Sequence, residues 1–172
     1  EYIKQAIIDI VSEMEPTAIH SYTIAPGDPE VRETLAKSLN ERFGTKLAGK
    51  NLFMTAGAAA AITITFKALA EGGDEFLTFA PFFPEYRCFV ESTGARLVVT
   101  PARTEDFQID FEAFEKLLNA KTKAVIVNSP NNPSGVVYSV ETIQKLTDVL
   151  RAKEKEYGHP IFLISDEPYR EI

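Results

Sequence analysis

Four short segments place phosphate-binding, stacking, amide or acidic residues directly after apolar runs. The first, Thr55-Ala56-Gly57-Ala58-Ala59-Ala60-Ala61, follows Leu52–Met54 and turns at a glycine straight into a helix-forming stretch. Free N–H groups at such a helix start, flanked only by methyl side chains, let a phosphate approach the backbone closely. The second, Ala80-Pro81-Phe82-Phe83-Pro84-Glu85-Tyr86, follows Phe76–Phe79 and fixes an aromatic pair between prolines, stiff enough to stack on a planar ring. The third, Asn128-Ser129-Pro130-Asn131-Asn132-Pro133-Ser134-Gly135, follows Ala124–Val127 and presents amides on a rigid turn. The fourth, Asp166-Glu167-Pro168-Tyr169, follows Ile161–Ser165. A carboxylate leaving an apolar strand can pair with a cationic group, and the Tyr169 hydroxyl can donate a hydrogen bond.

Each segment also has a plain structural reading: an Ala-rich helix packed on a sheet, two core phenylalanines, a turn-forming asparagine, and an aspartate capping a loop. Taken together, a helix start for phosphate, an aromatic stack, an amide and an acid on successive strand ends match an anionic aromatic heterocycle. The Gly57 turn has neither GxGxxG nor GxxxxGK[ST], which argues against a dinucleotide or nucleoside triphosphate. A single cysteine and two histidines exclude an internal disulfide, a cysteine metal cluster and HExxH chemistry. His20 and His159 are remote from the strand ends, so a Ser/His/Asp arrangement has no support. Cys88, within Tyr86–Val90, reads as a small buried hydrophobe.

The elements that must hold these segments follow from periodicity. Ile3, Ile7, Ile10, Val11 and Met14 predict an amphipathic helix stopped by Pro16, and the stretch from Pro16 to Asp28 has no sustained period. Asp28 and Pro29 begin a second helix with the stripe Val31, Leu35, Leu39 and Phe43, ended by Gly44. From residue 50, strands at Leu52–Met54, Phe76–Phe79, Leu97–Thr100, Ala124–Asn128 and Ile161–Ser165 alternate with helices. Those helices are Ala58–Ala70, Glu85–Ser92, one capped by Asp110, and one capped by Ser139 with the stripe Val140, Ile143, Leu146, Val149 and Leu150. Fully apolar strands alternating with helices predict an α/β fold, a mostly parallel sheet flanked by helices. In such folds ligands bind outside the carboxyl ends of the strands, where the four segments lie.

The 172 residues, 45% hydrophobic and 25% charged, suit one globular domain. Lys and Arg number 18 against 25 Asp and Glu, a net charge of −7, and the basic residues are scattered, so neither nucleic acid nor a membrane surface is expected as a partner. The charge-free stretches Asn51–Phe66 and Ala124–Val140 are broken by glycine or proline and fall short of the ~20 apolar residues of a membrane span. The opening EYIKQAIIDI carries Glu1, Lys4 and Asp9 without a leader pattern, so a cytoplasmic location is expected.

Ser129–Gly135 followed one helix later by Ser165-Asp166-Glu167-Pro168-Tyr169, with Thr55–Ala58 and Ala80–Tyr86 before them in order, resembles the class I/II aminotransferases of fold type I, which depend on pyridoxal phosphate. The resemblance covers essentially the whole chain. It implies that Ala58 and Ala59 offer N–H groups to the cofactor phosphate, Phe83 stacks on the ring, Asn132 and Tyr169 bond the ring hydroxyl oxygen, and Asp166 pairs with the protonated ring nitrogen. Tyr22, five residues before Gly27, looks like the tyrosine that reaches the phosphate of the partner subunit in a homodimer. The substrates implied are an amino acid and a 2-oxo acid. In the family a polar side chain often stands in the phosphate turn, where this chain has Ala58-Ala59-Ala60. No lysine here occupies the place of the Schiff-base lysine, so no catalytic residue is assigned. The chain reads as a partial cofactor-binding large domain, 1–172, lacking the N-terminal arm, the lysine segment and the small C-terminal domain, and inactive by itself. A lyase or synthase of the same fold, or a catalytically silent ligand-binding domain, would carry the same residues.

Overall fold

A computed structural model describes residues 1–171, which form two compact units, one of residues 1–55 and one beginning at Ala56. In the first unit α1 (Tyr2–Glu13) ends before Pro16, and Pro16 itself opens the one-turn α2 (Pro16–Ile19) inside the stretch that has no sequence period. α3 (Pro29–Phe43) begins where the Asp28 side chain accepts from the amides of Glu30 and Val31, and stops at Gly44 in the left-handed conformation. The stripe of α3 is corrected by the structure: Val31, Leu35 and Phe43 are exposed, and Ala36 is the buried residue.

The expected strand Leu52–Met54 is not a strand. A 3₁₀ turn, Gly49–Asn51, leads into extended chain in which the Met54 amide donates to the Pro26 carbonyl, 2.9 Å. Gly27 sits against that contact at φ 92°, where a Cβ would stand 2.4 Å from Met54 Cγ. A run of three apolar residues with no neighbouring strand cannot satisfy its backbone as a sheet, and the loop satisfies it instead.

The second unit is an αβα sandwich. Its strands β1 (Glu75–Phe79), β2 (Arg96–Thr100), β3 (Thr122–Asn128) and β4 (Phe162–Asp166) pair in parallel in the order β2-β1-β3-β4. Side chains alternate across this sheet. Phe76, Leu97, Ala124 and Ile126 meet α4 (Ala58–Leu69) and α5 (Glu85–Glu91) through Ile62, Phe66, Tyr86 and Val90. Leu77, Phe79, Val125 and Val127 meet α6 (Phe111–Leu117) and α7 (Val140–Tyr157) through Phe114, Leu146 and Leu150. The expected caps hold: Asp110 accepts from the Ala113 amide and Ser139 from the Thr142 amide, both at about 3 Å.

Three local expectations fail on this framework. Cys88 is exposed, because Tyr86 and Val90 bury the face of α5 opposite to it. Val140 is exposed at the first position of α7, so the buried stripe begins at Ile143. The apolar run of β4 is present but open, with Phe162 and Leu163 both exposed, since among the described residues β3 alone flanks it. No helix among the described residues is long and apolar enough to cross a membrane.

Candidate active site

Parallel strands bring their carboxyl ends to one edge of the sheet, and at that edge a cavity of about 190 Å³ is lined by Ala58, Ala59, Ile62, Phe83, Asn128, Asn132, Asp166, Pro168 and Tyr169. Six of the seven expected site residues therefore converge. Tyr22 belongs to the first unit, fully exposed, and is not among the lining residues. At this size the cavity suits a single ring rather than the larger ligands of ~300–1,000 Å³ sites. A wider open groove of about 630 Å³ along α7 mixes Glu115, Glu141 and Asp148 with Lys145 and Lys153.

Each wall has a local cause. Gly57 precedes α4 at φ 86°, ψ 171°, a conformation reserved for glycine, so the chain turns sharply from extended to helical and exposes the first amides of α4. Among the described residues, no side chain makes a capping hydrogen bond from the Gly57 position. The leading alanines keep the approach to it open, and the helix behind them is anchored by Ile62 and Phe66. Partial positive charge collects at such an end and favours an anion.

Opposite, the loop after β1 carries cis Ala80-Pro81 and delivers Phe83 to the cavity. The Phe83 ring meets Tyr86 edge-on, centroids 5.6 Å apart at 80°. Beyond β3, the Asn131 side-chain oxygen accepts from the Ser134 amide and hydroxyl, closing a turn with cis bonds before Pro130 and Pro133. This turn holds Asn132 in place, and its Nδ2 lies 3.4 Å from the Tyr169 hydroxyl.

Asp166 ends β4 and is buried, 8% exposed. One carboxylate oxygen accepts a short hydrogen bond from the Tyr86 hydroxyl, and its main-chain carbonyl accepts from Asn128 Nδ2 at 2.9 Å. Asn128 also accepts the Asn132 amide at 2.6 Å, so one side chain ties the ends of β3 and β4 to the turn. Burial, and after it the Asp166 carboxylate, pushes the Tyr86 phenol far above its ordinary range, leaving it a permanent donor. Among the described residues Asp166 makes no ion pair. Sequence reasoning gave no role to Tyr86 or Asn128. Tyr86 carried a usable signal in its i,i+4 spacing to Val90, which marks a buried face.

Arranged so, the cavity offers an anion-binding helix start, an aromatic face, two polar hydrogen-bonding groups and a buried acid facing one ring-sized space. The profile of the family described as "Aminotransferase class I and II" matches residues 1–172. A crystal structure of an amino transferase from Eubacterium rectale superposes with a TM-score of 0.95 at 55% identity, covering 99% of this chain and 43% of the other. Aspartate aminotransferase of Thermotoga maritima is 38% identical over 86% of this chain and 38% of its own length. A probable kynurenine–oxoglutarate transaminase of Saccharomyces cerevisiae is 32% identical over 97% of this chain and 39% of its own. The chain thus spans about two fifths of the length of these relatives. By its profile match, its fold and its relatives, this chain belongs to the class I and II aminotransferase family.

Proposed function

We propose that the complete protein is an aminotransferase that moves an amino group between an amino acid and a 2-oxo acid, and that the cavity at the carboxyl edge of the sheet holds pyridoxal phosphate. The observation that carries this is Asp166. A buried carboxylate with no cation of its own among the described residues, facing a ring-sized cavity, calls for a cationic ligand group. A protonated ring nitrogen is such a group. The rest of the wall fits the same ligand: Ala58 and Ala59 amides for the phosphate, the Phe83 ring for the aromatic face, Asn132 and Tyr169 for the ring hydroxyl oxygen.

When bound, the cofactor supplies an electron sink for the charge left at the substrate Cα after deprotonation. Asp166 holds the proton on the ring nitrogen, which deepens that sink. Phe83 fixes the ring plane, and Asn132 and Tyr169 fix its rotation within that plane. The uncapped start of α4 anchors the phosphate, so binding energy from a remote group orients the reacting one. Tyr22, fully exposed in the first unit, is offered to the phosphate of a second subunit, and the protein acts as a symmetric homodimer. An exposed free thiol at Cys88 suits a reducing, cytoplasmic compartment.

Titrating the complete protein with pyridoxal phosphate, followed by absorbance, is expected to give saturable binding of one cofactor per subunit and amino-group transfer from an amino acid to a 2-oxo acid. Absence of saturable binding would overturn the reading.

A further inference from the structure

Tyr86, a fully buried residue to which the family resemblance assigned nothing, donates its hydroxyl to the cavity-lining Asp166. We propose that Tyr86 is a positioning residue that aligns two ring-contacting groups together: its hydroxyl aims the Asp166 carboxylate at the ring nitrogen, and its ring sets the tilt of Phe83. This inference rests on the cofactor reading above.

The geometry carries it from both sides. Tyr86 on α5 donates to Oδ2 of Asp166, while Asn128 on β3 holds the main-chain oxygen of the same residue. With the backbone and one carboxylate oxygen pinned by different elements, Oδ1 is left as the acceptor for a ligand. The Tyr86 ring stands edge-on to Phe83, and its amide donates to the Phe83 carbonyl at 3.1 Å, so the two aromatics move as one turn. A donor fixed on Oδ2 keeps Oδ1 in line with the ring nitrogen, where a charge-assisted hydrogen bond is strongest. Without that donor, Oδ2 is buried and unpaired, and the carboxylate is free to rotate out of line with the ring nitrogen.

Tyr86→Phe removes the hydroxyl and keeps the ring against Phe83. In the complete protein loaded with 15N-labelled pyridoxal phosphate, the variant is expected to move the ring-nitrogen chemical shift toward that of an unprotonated pyridine. Its cofactor Kd is expected to rise about tenfold, the consequence of one unsatisfied buried acceptor. Added to Asp166→Asn, the same change should weaken binding little further, because Tyr86 acts through Asp166. Should Tyr86→Phe fail to fold, 3-fluorotyrosine at position 86 keeps the shape, strengthens the donor and must move the shift the opposite way. A Kd within twofold and an unchanged nitrogen shift, with cofactor still bound, would overturn the role of Tyr86 and leave the cofactor reading standing. A loss of thermal stability with no spectroscopic change would equally assign Tyr86 to the core alone. A parent protein that binds no cofactor would overturn both.

Discussion

Asp166→Asn separates the two meanings of a buried aspartate at a strand end. The change preserves shape, and the amide still offers an oxygen to the Tyr86 hydroxyl and an unchanged main-chain carbonyl to Asn128. If Asp166 only terminates β4 and starts the loop, an amide serves about as well as a carboxylate and little is lost. If it holds a protonated ring nitrogen, the variant loses a charge-assisted hydrogen bond of about 1.5–3 kcal/mol at a buried side chain. At ~1.4 kcal/mol per decade this corresponds to a loss of roughly 10- to 150-fold in the rate of deprotonation at the substrate Cα. The effect grows further if the transition state feels the charge more than the ground state does. The assay is a single-turnover half-reaction of the complete protein with an amino acid, at saturating cofactor, so that weaker binding is not mistaken for slower chemistry. A rate within twofold of the parent, in a folded variant, would refute Asp166 as the partner of the ring nitrogen.

Gly57→Ala forces a side chain onto φ 86°, ψ 171° with no atom crowding it, so the cost of ~1–3 kcal/mol is purely conformational. The start of α4 should shift and the cofactor Kd should rise while the melting temperature falls; an unchanged Kd would show that the amides of Ala58 and Ala59 do not hold the phosphate. Burial pushes the Tyr138 phenol up to about 12 from its usual 10, so its contribution is fully present below pH 10 and is lost as the unfolded chain ionises between pH 10 and 12. At 1.36 kcal/mol per unit, Tyr138→Phe should remove up to about 3 kcal/mol of the alkaline fall in stability measured by urea titration, and Tyr86 shifts in the same direction and keeps part of the slope. Asp28→Ala strips the acceptor from the Glu30 and Val31 amides and should lower stability by about 1 kcal/mol in denaturant titration, with cofactor affinity unchanged.

Much of the fold is legible in the sequence because its elements are punctuated by residues with a single physical meaning. Asp28-Pro29 and Gly44 bracket α3, and Ser139 opens α7, each through the backbone bond its type favours. The failures come where position rather than composition decides. Leu52–Met54 has the composition of a strand and no strand beside it. β4 has the composition of a buried strand and lies at an edge. Cys88 is apolar enough for a core, yet it lies two residues from both Tyr86 and Val90 and so faces away from them. The site divides in the same way. Phe83, Asn132 and Asp166 are visible because each ends or closely follows a strand, and parallel strands deliver their ends together, whereas Ala58 is marked by the Gly57 turn into α4. Tyr86 is invisible as a site residue because its partner is 80 positions away, and only the register of the folded sheet brings them into contact.

The most direct test is a crystal structure of the complete protein grown with pyridoxal phosphate. The ring nitrogen is expected within about 2.7–2.9 Å of a carboxylate oxygen of Asp166. The ring face is expected against Phe83 and the phosphate on the amides of Ala58 and Ala59. A cofactor seated elsewhere, or a ring nitrogen turned away from Asp166, would contradict it.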